Sequence, residues 1–314
     1  MNKTFNKTKL PDQISQQLSK RHEDRNKDLF TLKPNDKSMG PIFLLSSSDI
    51  GVIRNGGRQG AFMGPKVIMA ELKKFQKSSA NVKSFTEHEV SFMELELKEF
   101  KKGQKREEEQ IKKHLPIQQT HPIIHIGGGH DHIFPFLTAL EDKYPNSKLN
   151  IINIDAHLDT RDDQEAHSGT PFRQFFEKSK KGHHLHQIGI QSESNPLGNF
   201  KELNNVKMQI HQLEKIEENS KLISIFQESL SQQPDTLNIL SFDVDALHSK
   251  DFSSCSAVNP NGFSDSQMNQ IFSTYKKNIN HPQIIGIYEY NPLYDDLSNR
   301  DGKKLAWKIQ QSLK

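Results

Sequence analysis

Three side chains that can bind metal ions alternate at one point of the sequence. Segment 151–161 reads IINIDAHLDTR, so Asp155, His157 and Asp159 directly follow an apolar run. Side chains two positions apart in an extended chain point to the same side, so all three are expected to face one way. Two carboxylates and an imidazole held together favour a bound cation. A polar loop with chance alternation is the alternative interpretation of this segment taken alone.

Two other segments place similar residues after apolar runs. Segment 237–247, LNILSFDVDAL, ends its run with Asp243 and Asp245. Segment 121–132, HPIIHIGGGHDH, passes through three glycines to His130 at an expected strand-to-helix turn. A glycine trio can also cradle phosphate, but this one lacks the Lys and Ser/Thr of a P-loop and the GxGxxG spacing. We therefore group His130 with the acidic residues as a predicted metal ligand.

The combined set provides four carboxylates and two imidazoles. Ionised carboxylates clustered at neighbouring strand ends are costly unless they are paired or bound to metal. Four aspartates balance two divalent cations, and ligands of oxygen and imidazole without thiolates favour Mn²⁺ over structural zinc, while imidazole suits Mg²⁺ poorly. Two such ions can lower the pKa of a shared water and polarise a substrate, which predicts hydrolysis. The predicted ligands of two Mn²⁺ per subunit are His130, Asp155, His157, Asp159, Asp243 and Asp245.

The elements that must position these ligands are predicted by apolar periodicity. From Pro41 onwards, short apolar runs alternate with amphipathic segments, which is the pattern of strands alternating with helices. This order predicts an α/β fold with three α/β/α layers and a mostly parallel central sheet. Ligands bind such sheets beyond the carboxyl ends of the strands, where the predicted metal ligands also fall. We predict one catalytic domain over residues 41–314, preceded by a polar N-terminal extension over residues 1–40.

Composition and charge argue against a membrane-spanning, secreted or nucleic-acid-binding protein. No apolar run approaches the roughly 18 residues of a membrane-spanning helix, and the N-terminus lacks the apolar centre of a signal peptide. The single cysteine, Cys255, cannot form an internal disulfide, so we predict a soluble cytoplasmic protein without a membrane partner. The 42 basic and 39 acidic side chains nearly balance, and the best basic run (98–113) is interleaved with Glu. We interpret that run as a solvated helix face and expect no nucleic acid partner.

Taken together, these motifs resemble those of the ureohydrolase family, which includes arginase, agmatinase and formimidoylglutamase. GGGHD, DAHLD and SFDVD occur in the family's order and spacing, and EYNP at 289–292 resembles its ExNP element. The resemblance runs from about Gly51 to the C-terminus. It implies a binuclear manganese centre held by the six residues above, and hydrolysis of a C–N bond in a guanidino or formimino group. It also implies a homo-oligomer, a catalytic role for Asp159, and contact between Glu289 and the cationic group of the substrate.

Three segments favour the formimidoylglutamase branch of the family. HSGTPFRQ (167–174), GIQSESN (189–195) and RNGGRQGAFMGP (54–65) are similar to segments of formimidoylglutamases. Arginases and agmatinases commonly carry His directly before the glycine of the first segment, where this chain has Ser168. His167 is therefore a candidate catalytic residue for the proton transfer of that histidine, and whether it performs this transfer is left open.

The charge of the candidate substrates supports the same branch. Arginine presents a free ammonium group, which a site meets with carboxylates, whereas N-formimidoyl-L-glutamate presents two carboxylates, which need cations and neutral donors. Arg54, Arg58, Arg161 and Arg173 lie near the expected crevice loops, and each could equally be a surface charge. We predict hydrolysis of this small molecule to L-glutamate and formamide, a step of histidine degradation. The alternatives are a guanidino hydrolase releasing urea and a non-catalytic metal-binding protein of the same fold. The predicted substrate-binding residues are Ser168, Asn195, Arg161 and Glu289.

Overall fold

One sheet of parallel strands runs through the part of the chain that the computed structural model describes, which is residues 40–75, 84–196, 203, 206–216 and 218–313. Its eight strands are β1 (Ile42–Ser46), β2 (Thr86–Glu89), β3 (Ile123–Gly127), β4 (Lys148–Ile154), β5 (His183–Ile190), β6 (Val206–Gln212), β7 (Thr236–Asp243) and β8 (Ile284–Tyr288). Their order across the sheet is β2-β1-β3-β8-β7-β4-β5-β6, and every pairing is parallel.

Helices cover both faces of this sheet. The described helices are α1 (Ile50–Arg54), α2 (Gly64–Lys74), α3 (Met93–Lys98), α4 (Phe100–His114), α5 (Ile133–Lys143), α6 (Pro171–Lys178), α7 (Asn219–Ser229), α8 (Asp265–Asn278) and α9 (Arg300–Leu313). Side chains alternate between the faces along each strand, so Phe43 packs in the cluster with α2, α7, α8 and α9, and Leu44 in the cluster with α4, α5 and α6. The predicted three-layer α/β/α class is confirmed, and the sheet is parallel throughout the described strands.

The strands that carry the predicted ligands are neighbours in the centre of the sheet. β3, β8, β7 and β4 lie side by side, and their carboxyl ends share one edge because all four run in the same direction. The chain reaches β4 before β7 and β8, which then insert between β3 and β4. A crevice at such a change of strand order is the usual ligand site of an open α/β sheet.

Two elements differ from what the sequence pattern predicts. Strand β2 reads TEHE, without apolar residues, and forms at the sheet edge through backbone pairing with β1. Helix α4 buries Glu107 together with Ile111, so the interpretation of run 98–113 as a solvated face is wrong on that side.

Two predictions concern residues that lie wholly or partly outside the described part of the chain. Residues 1–39 lie outside the described part of the chain, and so does most of segment 197–204, which the sequence pattern predicts to be amphipathic. The N-terminal extension and the single domain over 41–314 therefore stay predictions. Among the described helices, none combines the length and the apolar character needed to cross a membrane.

Candidate metal centre and adjoining cavity

His130 is the centre of the first group of candidate ligands. Its Nδ1 atom lies 3.1 Å from Asp155 Oδ2, 2.9 Å from Asp159 Oδ2 and 3.1 Å from Asp243 Oδ2. This nitrogen has no hydrogen-bond partner among the described residues, although the His130 side chain is only 1% exposed. The other ring nitrogen, Nε2, lies 2.9 Å from Ser241 Oγ. When Nε2 donates its proton to Ser241, Nδ1 presents a free lone pair to the carboxylates, which is the arrangement of a metal-binding histidine.

Asp155 joins this group to a second one. Its Oδ2 atom faces His130, while its Oδ1 atom lies 3.6 Å from His157 Nδ1. His157 Nδ1 is also 2.9 Å from Asp245 Oδ2. Asp245 Oδ1 is buried, and no residue in the described part of the chain forms a hydrogen bond with it. The structure thus brings the six predicted ligands together as one group of four and one of three that share Asp155.

Short turns after β4 and β7 aim these side chains. The N–H of His157 donates to Asp155 Oδ1 at 2.7 Å, and the N–H of Asp245 donates to Asp243 Oδ1 at 2.9 Å. In both turns an aspartate orients the backbone of the ligand two residues later, which gives a structural reason for the spacing of two in the sequence. Asp159 has a φ of 52°, a left-handed conformation that costs a non-glycine residue about 1–3 kcal/mol. Strain of this kind clusters at functional sites.

The electrostatics of the two groups fit divalent cations. Burial, followed by repulsion between carboxylates, raises the pKa values of Asp159, Asp243 and Asp245. Burial also opposes ionisation of Asp155, but contacts with the two imidazoles lower its pKa below the ordinary value. Carboxylates this close repel each other as anions unless a cation neutralises them. Oxygen and imidazole ligands without a thiolate suit Mn²⁺ or a similar ion, so the residues present fit the predicted pair of metals.

Glu289 follows β8 and lies beside the first ligand group. Its Oε1 atom accepts a hydrogen bond of 2.9 Å from the backbone N–H of His130, and its own N–H donates to the Gly128 carbonyl at 2.9 Å. Its φ of 68° is a second left-handed conformation at the site. Burial raises the pKa of Glu289 to about 8. The side chain lines the cavity described next, where a bound cationic group would favour its ionised form and pair with it.

A cavity of about 470 Å³ opens beside the candidate ligands, which is in the range of small-molecule sites. Two of the four arginines named from the sequence, Arg58 and Arg161, line this cavity. Arg54 and Arg173 do not line it. Arg54 and Arg173 donate instead to backbone carbonyls of neighbouring loops. Glu193 is exposed and is not part of the lining.

Arg161 is held at the cavity by residues from two other loops. Its Nη2 atom donates to Asn55 Oδ1, and Asn55 Nδ2 donates to Ser168 Oγ at 3.0 Å. The guanidinium lies against Gly169, where an added Cβ would come within 2.7 Å of both Nε and Nη2. Ser168 and Gly169 also line the cavity, so this corner joins the RNGGR and HSGT segments of the sequence.

His167 and Asn195, two other predicted site residues, are hydrogen-bonded within their loops. His167 Nδ1 accepts from the N–H of Gly169 at 3.0 Å, and Nε2 donates to Asp163 Oδ2 at 2.8 Å. His167 is not part of the cavity lining, so its role in proton transfer stays a prediction. Asn195 borders the cavity, but both donors of its amide bind backbone carbonyls and its oxygen accepts from a backbone N–H of the DAHLD segment. Its contacts order that segment, and substrate binding by Asn195 stays a prediction.

A buried polar network behind His130 was not predicted from the sequence. The ring of Tyr288 stacks on the His130 ring, with centroids 4.7 Å apart, and its hydroxyl lies 2.8 Å from His125 Nδ1. His125 Nε2 is 2.8 Å from Ser46 Oγ, which donates to Glu107 Oε1 at 2.6 Å. The histidine at position 125 was visible inside an apolar run, but only the fold shows that Ser46 links it to a glutamate of helix α4.

The network ends in an ion pair between Glu107 and His132. His132 Nδ1 lies 2.8 Å from Glu107 Oε2, and Nε2 lies 3.0 Å from the Ser48 carbonyl oxygen. Because both nitrogens face acceptors, the imidazole is expected to carry both protons. Burial opposes that charge, but Glu107 and Asp131 raise the pKa of His132 well above its ordinary value. This cation fixes the turn that also carries His130.

Comparisons with known proteins agree with this site. Residues 48–313 match the family model of the Arginase family. The chain is 27% identical over 284 residues to a formimidoylglutamase of Klebsiella pneumoniae, which covers 86% of this chain and 85% of that protein. It is 29% identical over 276 residues to a formimidoylglutamase of Staphylococcus carnosus, again over 86% and 85%. The crystal structure of Trypanosoma cruzi formiminoglutamase with Mn²⁺ has the same fold, with a TM-score of 0.75, 21% identity and coverage of 92% of this chain and 97% of that one.

The chain therefore belongs to the arginase family. The matched region contains every candidate metal ligand and Glu289, and its start at residue 48 agrees with a resemblance that begins near Gly51. Membership and the curated relatives identify a hydrolase that acts on C–N bonds of linear amidines.

Proposed function

We propose that this chain hydrolyses N-formimidoyl-L-glutamate to L-glutamate and formamide, with two Mn²⁺ ions per subunit. The charge of the residues that line the cavity is the main observation in favour of this substrate. Among its described lining residues are two arginines, Arg58 and Arg161, and no carboxylate other than candidate metal ligands and Glu289. Two substrate carboxylates match the arginines, and the formimino cation matches Glu289. The relatives named formimidoylglutamase support the same reaction.

A guanidino hydrolase that releases urea fits this cavity less well. Arginine and agmatine carry a free ammonium group, which gains most from a carboxylate at the far end of the cavity. Glu193, the acidic residue of the GIQSESN segment, is exposed and does not line the cavity, so it does not provide this carboxylate. The two lining arginines would instead repel such a substrate.

The residues of the site divide the proposed reaction between them. The bound ions would lower the pKa of a coordinated water and polarise the formimino group. Glu289 would bind the protonated formimino nitrogen, and Arg161, held by Asn55, would bind a carboxylate. Asp159 would take one proton from the attacking water as its oxygen bonds to the formimino carbon, and would pass this proton to the glutamate nitrogen as the C–N bond breaks. The second proton of the water would move to the released amine as the C=O bond of formamide forms. The proposed metal ligands are His130, Asp155, His157, Asp159, Asp243 and Asp245.

We further propose the setting of this reaction. The chain would act as a homo-oligomer in the cytoplasm and supply a step of histidine degradation, with residues 41–314 as its catalytic domain. The relatives named formimidoylglutamase support the reaction on which this pathway assignment depends. Light scattering of the purified protein would give the number of subunits.

A substrate panel tests the proposed reaction. Purified protein with Mn²⁺ is incubated with N-formimidoyl-L-glutamate, arginine, agmatine and guanidino acids, and formamide, ammonia and urea are measured separately. We expect formamide and L-glutamate in equal amounts from the first compound and no urea from the others. Urea release with no formamide would contradict the proposal and favour the guanidino hydrolase.

Glu289→Gln is expected to lower kcat about a hundredfold or more, because the neutral amide cannot stabilise the formimino cation. Mn²⁺ binding should be unchanged, since Glu289 belongs to neither ligand group. Steady-state kinetics and calorimetric titration with Mn²⁺ check both parts. A variant with normal kcat would exclude Glu289 from the reaction.

Gly169→Ala is expected to raise KM about tenfold, through the loss of one charge-assisted hydrogen bond, while the melting temperature stays the same. The three atoms nearest to the added methyl group would all belong to the end of the flexible Arg161 side chain, so the group is expected to displace the guanidinium. Gly182→Ala is the matched control, because an added Cβ there meets nothing within 4 Å. Equal KM values for both variants would contradict the role of Arg161.

A further inference from the structure

We propose that Arg58 is the specificity residue that receives the second carboxylate of the substrate, an inference that rests on the proposed function. In the proposed function, Arg161 binds one of the two carboxylates of N-formimidoyl-L-glutamate. Arg58 is the other arginine of the cavity lining, and it comes from a different loop. A dicarboxylate would thus be held at two points, while a monocarboxylate would leave one arginine without a partner.

One edge of the Arg58 guanidinium is fixed by the loop that follows β7. Nη2 donates to the Cys255 carbonyl at 2.6 Å, and Nε donates to the Ser256 carbonyl at 3.2 Å. These two bonds use the side edge of the planar group. The terminal edge, formed by Nη1 and the second N–H of Nη2, has no partner among the described residues. That edge has the fork geometry that binds a carboxylate with two parallel hydrogen bonds.

Other contacts hold the same guanidinium and its backbone in place. The guanidinium carbon lies 3.9 Å from the centroid of the Tyr294 ring. The Arg58 N–H donates to Ser256 Oγ at 2.7 Å, and its carbonyl accepts from Asn291 Nδ2 at 3.2 Å. Asn291 is two residues from Glu289, so the proposed carboxylate receptor and the proposed amidinium receptor are connected through one short segment. A receptor fixed before the ligand arrives loses little entropy on binding.

The charge of Arg58 is also available for a ligand. Arg161 Nε lies 3.6 Å from Asp163 Oδ2, and Arg54 pairs with Glu165 at 2.8 Å. Arg58 forms no ion pair with any residue that the structure describes. A cation that lines a cavity without an acidic partner is the expected feature of an anion receptor.

Arg54 provides a matched control for a purely structural role. Like Arg58, it donates from Nε to a backbone carbonyl, that of Ala166, and lies over an aromatic ring, that of Phe100. Unlike Arg58, it lies outside the cavity lining. The two arginines therefore share these two kinds of contact, and they differ in access to the cavity and in the ion pair that Arg54 forms with Glu165.

The test compares glutarate with glutaramate, which has the same length but one amide in place of a carboxylate. Binding of each to the full-length, Mn²⁺-loaded protein is measured by calorimetry for the wild type, Arg58→Gln, Arg58→Lys and Arg54→Gln. The wild type should prefer glutarate about tenfold or more, the value of one charge-assisted contact. Arg58→Gln should lose this preference, Arg58→Lys should keep part of it because a point charge replaces the fork, and Arg54→Gln should keep all of it.

Other results would overturn the proposal. An unchanged glutarate preference in Arg58→Gln or in Arg58→Lys would do so, and so would an equal loss for both ligands, which would assign Arg58 to holding the loop. If Arg58→Gln does not fold, Arg58→Lys decides. Formamide release from N-formimidoyl-L-glutamate is measured separately on the wild type. No release together with an Arg58-dependent glutarate preference would reject the proposed substrate and keep the carboxylate receptor.

Discussion

Asp243→Asn is expected to abolish turnover and to remove most of the stabilisation that Mn²⁺ gives to the protein. Its Oδ2 atom faces His130 Nδ1 at 3.1 Å in the first ligand group, and an amide oxygen there carries no charge to balance a divalent ion. We expect activity to fall about a thousandfold or more, since water activation depends on the bound ions. Binding to the folded state at a hundred times Kd stabilises a protein by about 2.7 kcal/mol, and the variant should lose most of this gain. Kinetics and thermal melting with and without Mn²⁺ measure both effects.

The metal-free form provides the internal check of this prediction. Burial, followed by repulsion from neighbouring carboxylates, raises the pKa of Asp243, so its replacement by a neutral amide should leave the metal-free protein as stable as the wild type or more so. Asp142→Asn is the control, because Asp142 is 44% exposed and pairs with Lys112 at the surface. A variant that still binds two Mn²⁺ would remove Asp243 from the ligands. A wild type that takes up no Mn²⁺ would favour the non-catalytic alternative.

Glu107→Gln is expected to lower the free energy of unfolding by about 3 kcal/mol, which is the low end of the cost of leaving a buried charge without its partner. Glu107 is fully buried, with Oε2 at 2.8 Å from His132 and Oε1 accepting from Ser46. The glutamine keeps the shape of the side chain, removes its charge and replaces one of the two acceptor oxygens by an N–H donor. Urea denaturation of the metal-free protein measures the difference without a contribution from metal binding.

Glu109→Gln is the matched control on the same helix. Glu109 is 49% exposed and pairs with Arg106 at 3.0 Å, and a surface pair of this kind contributes less than about 1 kcal/mol. Equal effects of the two substitutions would show that Glu107 does not carry the expected charge interaction. A loss confined to Glu107→Gln would support a role of the buried ion pair in fixing the turn with His130.

The metal ligands could be predicted from the sequence because each lies at or just after the carboxyl end of one of three strands, β3, β4 and β7. The alternation of Asp155, His157 and Asp159 after an apolar run indicated ligands at a strand end, and the parallel sheet brings them to the same edge as Asp243 and Asp245. The turn after β4 and the left-handed conformation of Asp159, which aim these side chains, were not part of that pattern. The local alternation of side chains, together with the rule that ligands bind at the carboxyl ends of parallel strands, was therefore enough to predict the ligands. Nothing in this inference required knowledge of a contact between distant residues.

The rest of the site depends on such distant contacts. Glu107 looked solvated because it lies in a run of charges, and only the packing of α4 shows that it meets His132. The same holds for the arginines, because Arg54 and Arg58 are four residues apart, yet one lines the cavity and the other does not. The polar strand β2 forms because β1 offers a free edge, which no local pattern records.

The position of β8 in the sheet has a consequence for the order of folding. β8 comes last among the described strands in sequence, but it pairs with β3 on one side and β7 on the other. His130 follows β3 and Asp243 ends β7, so these two side chains have no stable geometry until the late strand fills the gap between them. Contacts of this sequence separation form slowly. We therefore expect a partly folded chain, still waiting for β8, to have its hydrophobic layers largely collapsed while its binding site does not yet exist.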